Sequence, residues 1–209
     1  FEDSDIIVVN KQAGLLSVAT DKMEPDTLHS RVVDYLQSED KGEWAFIVHR
    51  LDRETSGVMI FAKHKRHKEY LQAQFAERSV HRVYHALVQG KPEQESGTIH
   101  EWLLEDKFLR IRTVNKGNPN AKEAITHWSL EDSDEIASLL MLTIETGRRH
   151  QIRVGLANLG LPVVGDEQHG AVGNPIGRIA LHASALELLH PQSEDPVRFE
   201  ATIPFGPEQ

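Results

Sequence analysis

The chain has no cysteine among its 209 residues, which excludes disulfides and thiolate metal sites together and fits a reducing compartment. It also lacks any apolar run near the roughly 18 to 20 residues that a membrane-spanning helix needs. Its opening, "FEDSDIIVVN", is acidic and carries no basic n-region of the kind that starts a secretion signal. A cytoplasmic location and no membrane partner are therefore expected. Positive charge is in deficit, with 23 Lys and Arg against 32 Asp and Glu for a formal net charge of -9. That balance argues against a generic nucleic-acid coat, for which a pI above about 9 is the usual sign. Glycine-rich phosphate loops of the GxGxxG or GxxxxGK[ST] kind are missing, as are the HExxH zinc motif and the GxSxG nucleophile elbow. A dinucleotide, ATP or serine-hydrolase site has no support.

What is present is unevenly placed. "KHKRHK" (63–68), "RSVHRVYH" (78–85) and "TGRRHQIR" (146–153) are basic, whereas "EDSDE" (131–135) is acidic. The pattern suits either a basic face on an acidic body or solvated loops of mixed sign. "DIIVVN" (5–10) reads as a strand that turns at Gly14. "DTLHSRVVDYLQ" (26–37) reads as a helix, with Leu28, Val32 and Leu36 four apart behind the capping candidates Asp26 and Thr27. "AFIVHR" and "GVMIFAK" are of strand length, and 65–78 is helical with Leu71 and Phe75 facing inward. From 80 to 90 the period becomes two, placing Arg82, Tyr84, Ala86 and Val88 on one strand face. Four further strand-length runs follow. The spacing predicts a helix over 147–160, with Ile152, Leu156 and Leu159 as its apolar stripe and Gly160 as its cap. Arg149 and Arg153 then lie one helical turn apart. The sum is a single α+β domain over 1–209, with a mixed, largely antiparallel sheet flanked by helices and loops.

Two features could carry chemistry. Twelve histidines include His64 and His67, three apart, which a helix would place on one face. No nearby carboxylate completes a set, so no metal is expected. "IVHRLDRETSGVMIFAKHK" (47–65) places Asp52 between Arg50 and Arg53. Flanking cations keep a carboxylate ionised, and an ionised carboxylate can attack an electrophilic carbon. The arginines would suit a polyanionic substrate.

These residues resemble a known family. "HRLDRETSG" (49–57) is similar to the HRLDxxTSG motif of RluA-type pseudouridine synthases. "VVNKQAGL" (8–15), "RVYHALVQG" (82–90), "TGRRHQIRVGLANLGLPVVGD" (146–166) and "RIALHASALELLHP" (178–191) resemble further family segments in the same order. The resemblance implies that a uridine in structured RNA, ribosomal or transfer, is isomerised to pseudouridine without a cofactor or metal. By motif position Asp52 would be the nucleophile. Tyr84 would stack on the base and assist proton removal from C5, and Arg153 would pair with Asp52. Arg50 would fill the gap left by a flipped nucleotide, Arg149 would meet phosphate and Leu181 would line the base pocket. His49 and Thr55 complete the expected substrate-binding set. A monomer is expected, with no S4-type domain in this chain. Departures from the family pattern are Gln12, Gly155 and His169, which stand where Pro, His and Tyr are usual. Two other readings remain: an idle RNA-binding module of the same fold, and a glycoside hydrolase with a second carboxyl about 5 to 10 Å from Asp52.

Overall fold

In the computed structural model, residues 1–207 are described. Along the chain run β1 (Ile6–Lys11), α1 (Leu28–Glu39), β2 (Phe46–Ile47), β3 (Ser56–Ala62), α2 (Lys65–Ala76), β4 (His81–Gln89) and β5 (Ser96–Glu105). Then follow β6 (Ile111–Thr113), β7 (Lys122–Ser133), β8 (Ala137–Ile144), α3 (Gln151–Asn158), a single 3-10 turn (Glu167–His169), β9 (Leu181–Leu189) and β10 (Pro196–Glu200). This is the α+β class that the hydrophobic periods indicate. The chain divides into two units: Phe1–Arg82 with Ala183–Thr202, and Val83–His182 with the segment from Ile203 onward.

In the first unit β1 and the two-residue β2 both pair antiparallel with β3, and β10 pairs antiparallel with β9. Every residue of β3 is buried. Val58, Ile60 and Ala62 point into a core with Ile6, Val48, Leu71, Val80, Leu186 and Leu188. On the alternate face Phe61 meets the His29 ring of α1 at 6.1 Å. Thr27 caps α1 through a reciprocal pair with Ser30, which satisfies two amides that the first turn leaves open. Asp26, the other capping candidate, instead pairs with Arg31 at 2.6 Å.

In the second unit the strands lie in the order β4-β8-β7-β5-β6. The ladders are antiparallel, with a bulge between Leu130 and Asp132. From Val83 to Val88 both faces of β4 are buried, although its alternation suggested one face only. The helix expected over 147–160 is shorter at its start. Gly147 and Arg148 are irregular, Arg149 and His150 form a turn, and His150 adopts a left-handed conformation at φ 52°. Side-chain bonds hold this turn open. Gln151 Oε1 accepts from Arg148 N–H at 3.1 Å and from Thr146 Oγ1 at 2.7 Å, while Gln151 Nε2 donates to Ile125 O at 2.9 Å. Arg149 therefore precedes α3, and its expected position one helical turn before Arg153 is corrected. Leu159 is 48% exposed rather than part of the stripe, and α3 buries every residue from Gln151 to Leu156. Gly160 does follow the helix in the left-handed region, at φ 76°.

Candidate active site

The turn that bears Asp52 is built by a segment far from it in sequence. Thr55 N–H donates to Asp52 O at 3.1 Å, closing a tight turn with Arg53 and Glu54 at its tip. Beneath it lies Lys11, only 1% exposed, whose Nζ donates to Leu15 O at 2.6 Å, Arg53 O at 2.9 Å and Gln12 O at 3.1 Å. Gly14, at φ 85°, gives its N–H to Arg53 O at 2.9 Å and takes a bond from Arg53 Nε at 3.0 Å. Ser17 completes the support. Its hydroxyl donates to Leu51 O at 2.7 Å and accepts from Leu51 N–H at 3.1 Å. The buried ammonium and hydroxyl thus fix the backbone on both sides of Asp52, which is itself half-buried.

Leaving the turn, Gly57 has φ 119°, and a Cβ there would lie 2.1 Å from Ala183 O. Only glycine lets β3 start this close to β9. Thr55 and Ser56 are buried, at 3% and 4% exposure. Thr55, expected to meet substrate, closes the turn through its amide and has its side chain inside.

His49 is also turned inward. β2 ends at Ile47, and beyond it the Ile60 N–H donates to His49 Nε2 at 3.2 Å. The ring stacks on Phe75 with centroids 4.8 Å apart, and the Arg82 guanidinium lies 5.7 Å from the other member of that stack, Phe75. Burial, then the Arg82 charge, push the His49 pKa down to about 3, so its ring is neutral. His49, expected to meet substrate, supports β3 through the Ile60 amide. Arg50, by contrast, is exposed beside the turn. Arg53 is directed to Gly14 and lies 3.9 Å from Glu54.

In the second unit Tyr84 is buried on β4 opposite Leu142 of β8. Arg153, 3% exposed, is held by Asp166, which is fully buried: Nε and Nη2 donate to the two carboxylate oxygens at 2.6 and 2.8 Å. Gln168 Oε1 accepts from the same Nη2 at 3.3 Å. Sequence reasoning did not single out Asp166. Its signal is present as the "GD" that ends the 146–166 segment, but the pairing spans 13 residues and a loop. Next to this pair His150 Nδ1 lies 3.1 Å from His169 Nε2. Burial, then the charges of Arg153, His169 and Arg149, hold His150 at about 3 against the opposing pull of Asp166.

Arg149 is exposed and bonds Glu105 at 2.5 Å, so a carboxylate occupies the group expected to meet phosphate. Leu181 is buried at 3% exposure. Gly155 has a packing reason. A Cβ there would lie 3.1 Å from Ile99 Cγ2, so glycine lets α3 approach β5.

Residues 5–158 match the RNA pseudouridylate synthase family. Two curated relatives from Bacillus subtilis, the uncharacterized RNA pseudouridine synthases YhcT and YjbO, are 34% and 33% identical over 206 residues. Each alignment takes in 98% of this chain, with 68% of YhcT and 71% of YjbO. The dual-specificity RNA pseudouridine synthase RluA of Vibrio parahaemolyticus is 37% identical over 201 residues, covering 92% of this chain and 78% of that protein. Among solved structures, human RNA pseudouridylate synthase domain containing 1 superposes with a TM-score of 0.79 at 28% identity, over 100% of this chain and 84% of the other. No described helix is long and apolar enough to cross a membrane. With the motif-bearing Asp52 turn in place and a family match over most of its length, the chain belongs to the RNA pseudouridine synthase family of isomerases, as an RluA-type member.

Proposed function

We propose that this chain converts a particular uridine of structured RNA, ribosomal or transfer, into pseudouridine, with Asp52 as nucleophile and no cofactor. The observation that carries the reading is the Asp52 turn. A half-buried carboxylate is presented on backbone fixed from below by Lys11 and Ser17, an arrangement that limits the reorganisation needed to attack one carbon. The carboxylate attacks C1′ of the ribose, or assists departure of the base through a glycal. The base then turns and rejoins through C5. Tyr84 stacks on the base and assists loss of the C5 proton. Extruding a nucleotide costs a few kcal/mol of stacking, and exposed Arg50 offsets this by filling the gap. Arg149 meets phosphate by exchanging its exposed Glu105 partner, a pair of a kind worth only about 0 to 1 kcal/mol. Arg153, which the resemblance would pair with Asp52, is bidentate on Asp166, and Leu181 is an apolar wall for the base.

The test uses Asp52→Ala on ribosomal and transfer RNA lacking modifications. Pseudouridine formation disappears while RNA binding at low salt survives. Activity retained by Asp52→Ala overturns the mechanism, and binding without activity in the unaltered protein favours the idle RNA-binding reading. Mapping pseudouridines in RNA from cells with and without the gene identifies the uridine.

A further inference from the structure

We propose that Asp5, His64 and His67, in the first unit, bind one divalent transition-metal ion of the zinc class. Their candidate ligand atoms all lie within 4.8 Å of one another. The fold brings them together for identifiable reasons. His64 is the N-cap residue of α2 and His67 is three positions on, so the two imidazoles share the first turn, with centroids 5.2 Å apart. Asp5 stands immediately before β1, and its carbonyl accepts the Lys63 N–H at 2.8 Å, which places its side chain beside the entrance to α2. The carboxylate missing from the neighbourhood of His64 and His67 in sequence is supplied from about 60 residues away.

The buried ring of His67 is what points to a ligand. It is 3% exposed, and its Nδ1 has no hydrogen-bond partner. That atom lies 3.3 Å from Asp5 Oδ1, without the geometry of a hydrogen bond. Buried polar atoms are rarely left this way, because each costs about 1 to 3 kcal/mol unless something satisfies it. The second Asp5 oxygen already accepts from Ser4 Oγ at 2.9 Å. Asp3 and His190 lie close by but are fully engaged. Asp3 Oδ1 accepts from the amides of Asp5 and Ile6 at 2.8 and 2.9 Å. His190 Nε2 donates to Asp3 Oδ2 at 3.0 Å, while its Nδ1 accepts from the amides of Gln192 and Ser193 at 3.3 and 3.2 Å. Asp3 thus holds the Asp5 backbone through its amide, and His190 holds Asp3.

Two imidazole nitrogens and one carboxylate oxygen suit zinc, with a fourth position left for water. Magnesium and calcium prefer sets made of oxygen. One local change accompanies binding. A metal on Nδ1 leaves the proton on Nε2, which at present accepts from Arg66 Nε at 2.9 Å. Arg66 is exposed and able to swing out, and the Gln192 side-chain oxygen, which also interacts with the His67 ring, can accept a hydrogen bond from the Nε2–H. The ion would then link the start of β1 to the start of α2.

The full chain, stripped with a chelator, is titrated with zinc against a chromophoric indicator, with cobalt absorption as a second readout. One equivalent binds, and excess magnesium does not displace it. His64→Gln, an exposed change that leaves the fold intact, weakens zinc binding by about tenfold or more. His127→Gln, which removes a histidine paired with Glu145 elsewhere, leaves it unchanged. Arg66→Ala tightens it by removing a competing donor and a nearby cation. No saturable zinc binding, or equal affinity in His64→Gln and the unaltered chain, overturns the proposal.

Discussion

Lys11→Met isolates what holds the Asp52 turn. Methionine keeps most of the unbranched stem, so packing changes little, while the ammonium and its donors are lost. Three carbonyls feel the change, but that of Arg53 keeps its bond from Gly14 N–H. The loss falls mainly on Gln12 and Leu15, whose oxygens were bonded at 3.1 and 2.6 Å under a group only 1% exposed. Gln12 is exposed and Leu15 half-buried, so water replaces part of the lost bonding and the two carbonyls together cost about 1 to 3 kcal/mol. Removing a buried charge returns part of that. A net destabilisation of about 1 kcal/mol follows. With a urea dependence of about 2 kcal/mol per molar, the unfolding midpoint falls by about 0.5 M. Because Lys11 also anchors Arg53, next to Asp52, the folded variant loses turnover more than RNA affinity. Equilibrium urea unfolding and single-turnover kinetics, both measured well below the variant's midpoint, test the two halves. A midpoint shift under about 0.3 M, or unchanged turnover in a destabilised variant, refutes the claim that this ammonium shapes the turn.

Asp166→Ala leaves Arg153 buried without its bidentate partner and costs about 3 to 5 kcal/mol; a thermal shift no larger than that of a surface Asp→Ala control counts against the pair as drawn. Gly57→Ala forces a Cβ to within 2.1 Å of Ala183 O at φ 119°, so stability drops by more than about 4 kcal/mol, and normal soluble yield with an unaltered melting temperature would contradict the close approach of β3 and β9. Stability also depends on pH through His49. Its folded pKa of about 3 lies below the ordinary 6.5, so the unfolded chain binds a proton that the folded chain refuses. Stability from this group is complete above about pH 6.5 and declines as pH falls toward 3, by up to about 1.4 kcal/mol per pH unit. His150 acts in the same direction. Urea midpoints for His49→Gln should show a shallower acid slope than those of the unaltered chain; parallel slopes would disprove the neutral ring stacked on Phe75.

Local elements were legible wherever a short-range pattern decides the backbone. Thr27 caps α1 because a side chain three residues from its target can satisfy an open amide, and the apolar runs of β1 and β3 have strand length. The start of α3 was misread because Gln151 bonds to Thr146, Arg148 and Ile125, and no helical period in the sequence encodes those contacts. Burial on both faces of β4 and β3 was hidden for a related reason, since alternation describes one strand and not what covers it.

The same division separates the two halves of the candidate site. Asp52 stood out because its neighbours in sequence are chemically unusual, and the motif supplied its role by resemblance. Its support did not stand out. Lys11 looks like an ordinary surface cation in "VVNKQAGL" and becomes a buried ammonium only when β1 pairs with β3, bringing Lys11 opposite Gly57. Ser17 reaches Leu51 across 34 positions in the same way. A reactive group can therefore be found from a short stretch, whereas the groups that fix its backbone are chosen by strand pairing. Substitutions at Lys11 and Ser17 should on that account impair catalysis without contacting RNA. Variants of exposed Arg50 should instead change RNA affinity and its salt dependence, so the two classes separate in a comparison of turnover against binding.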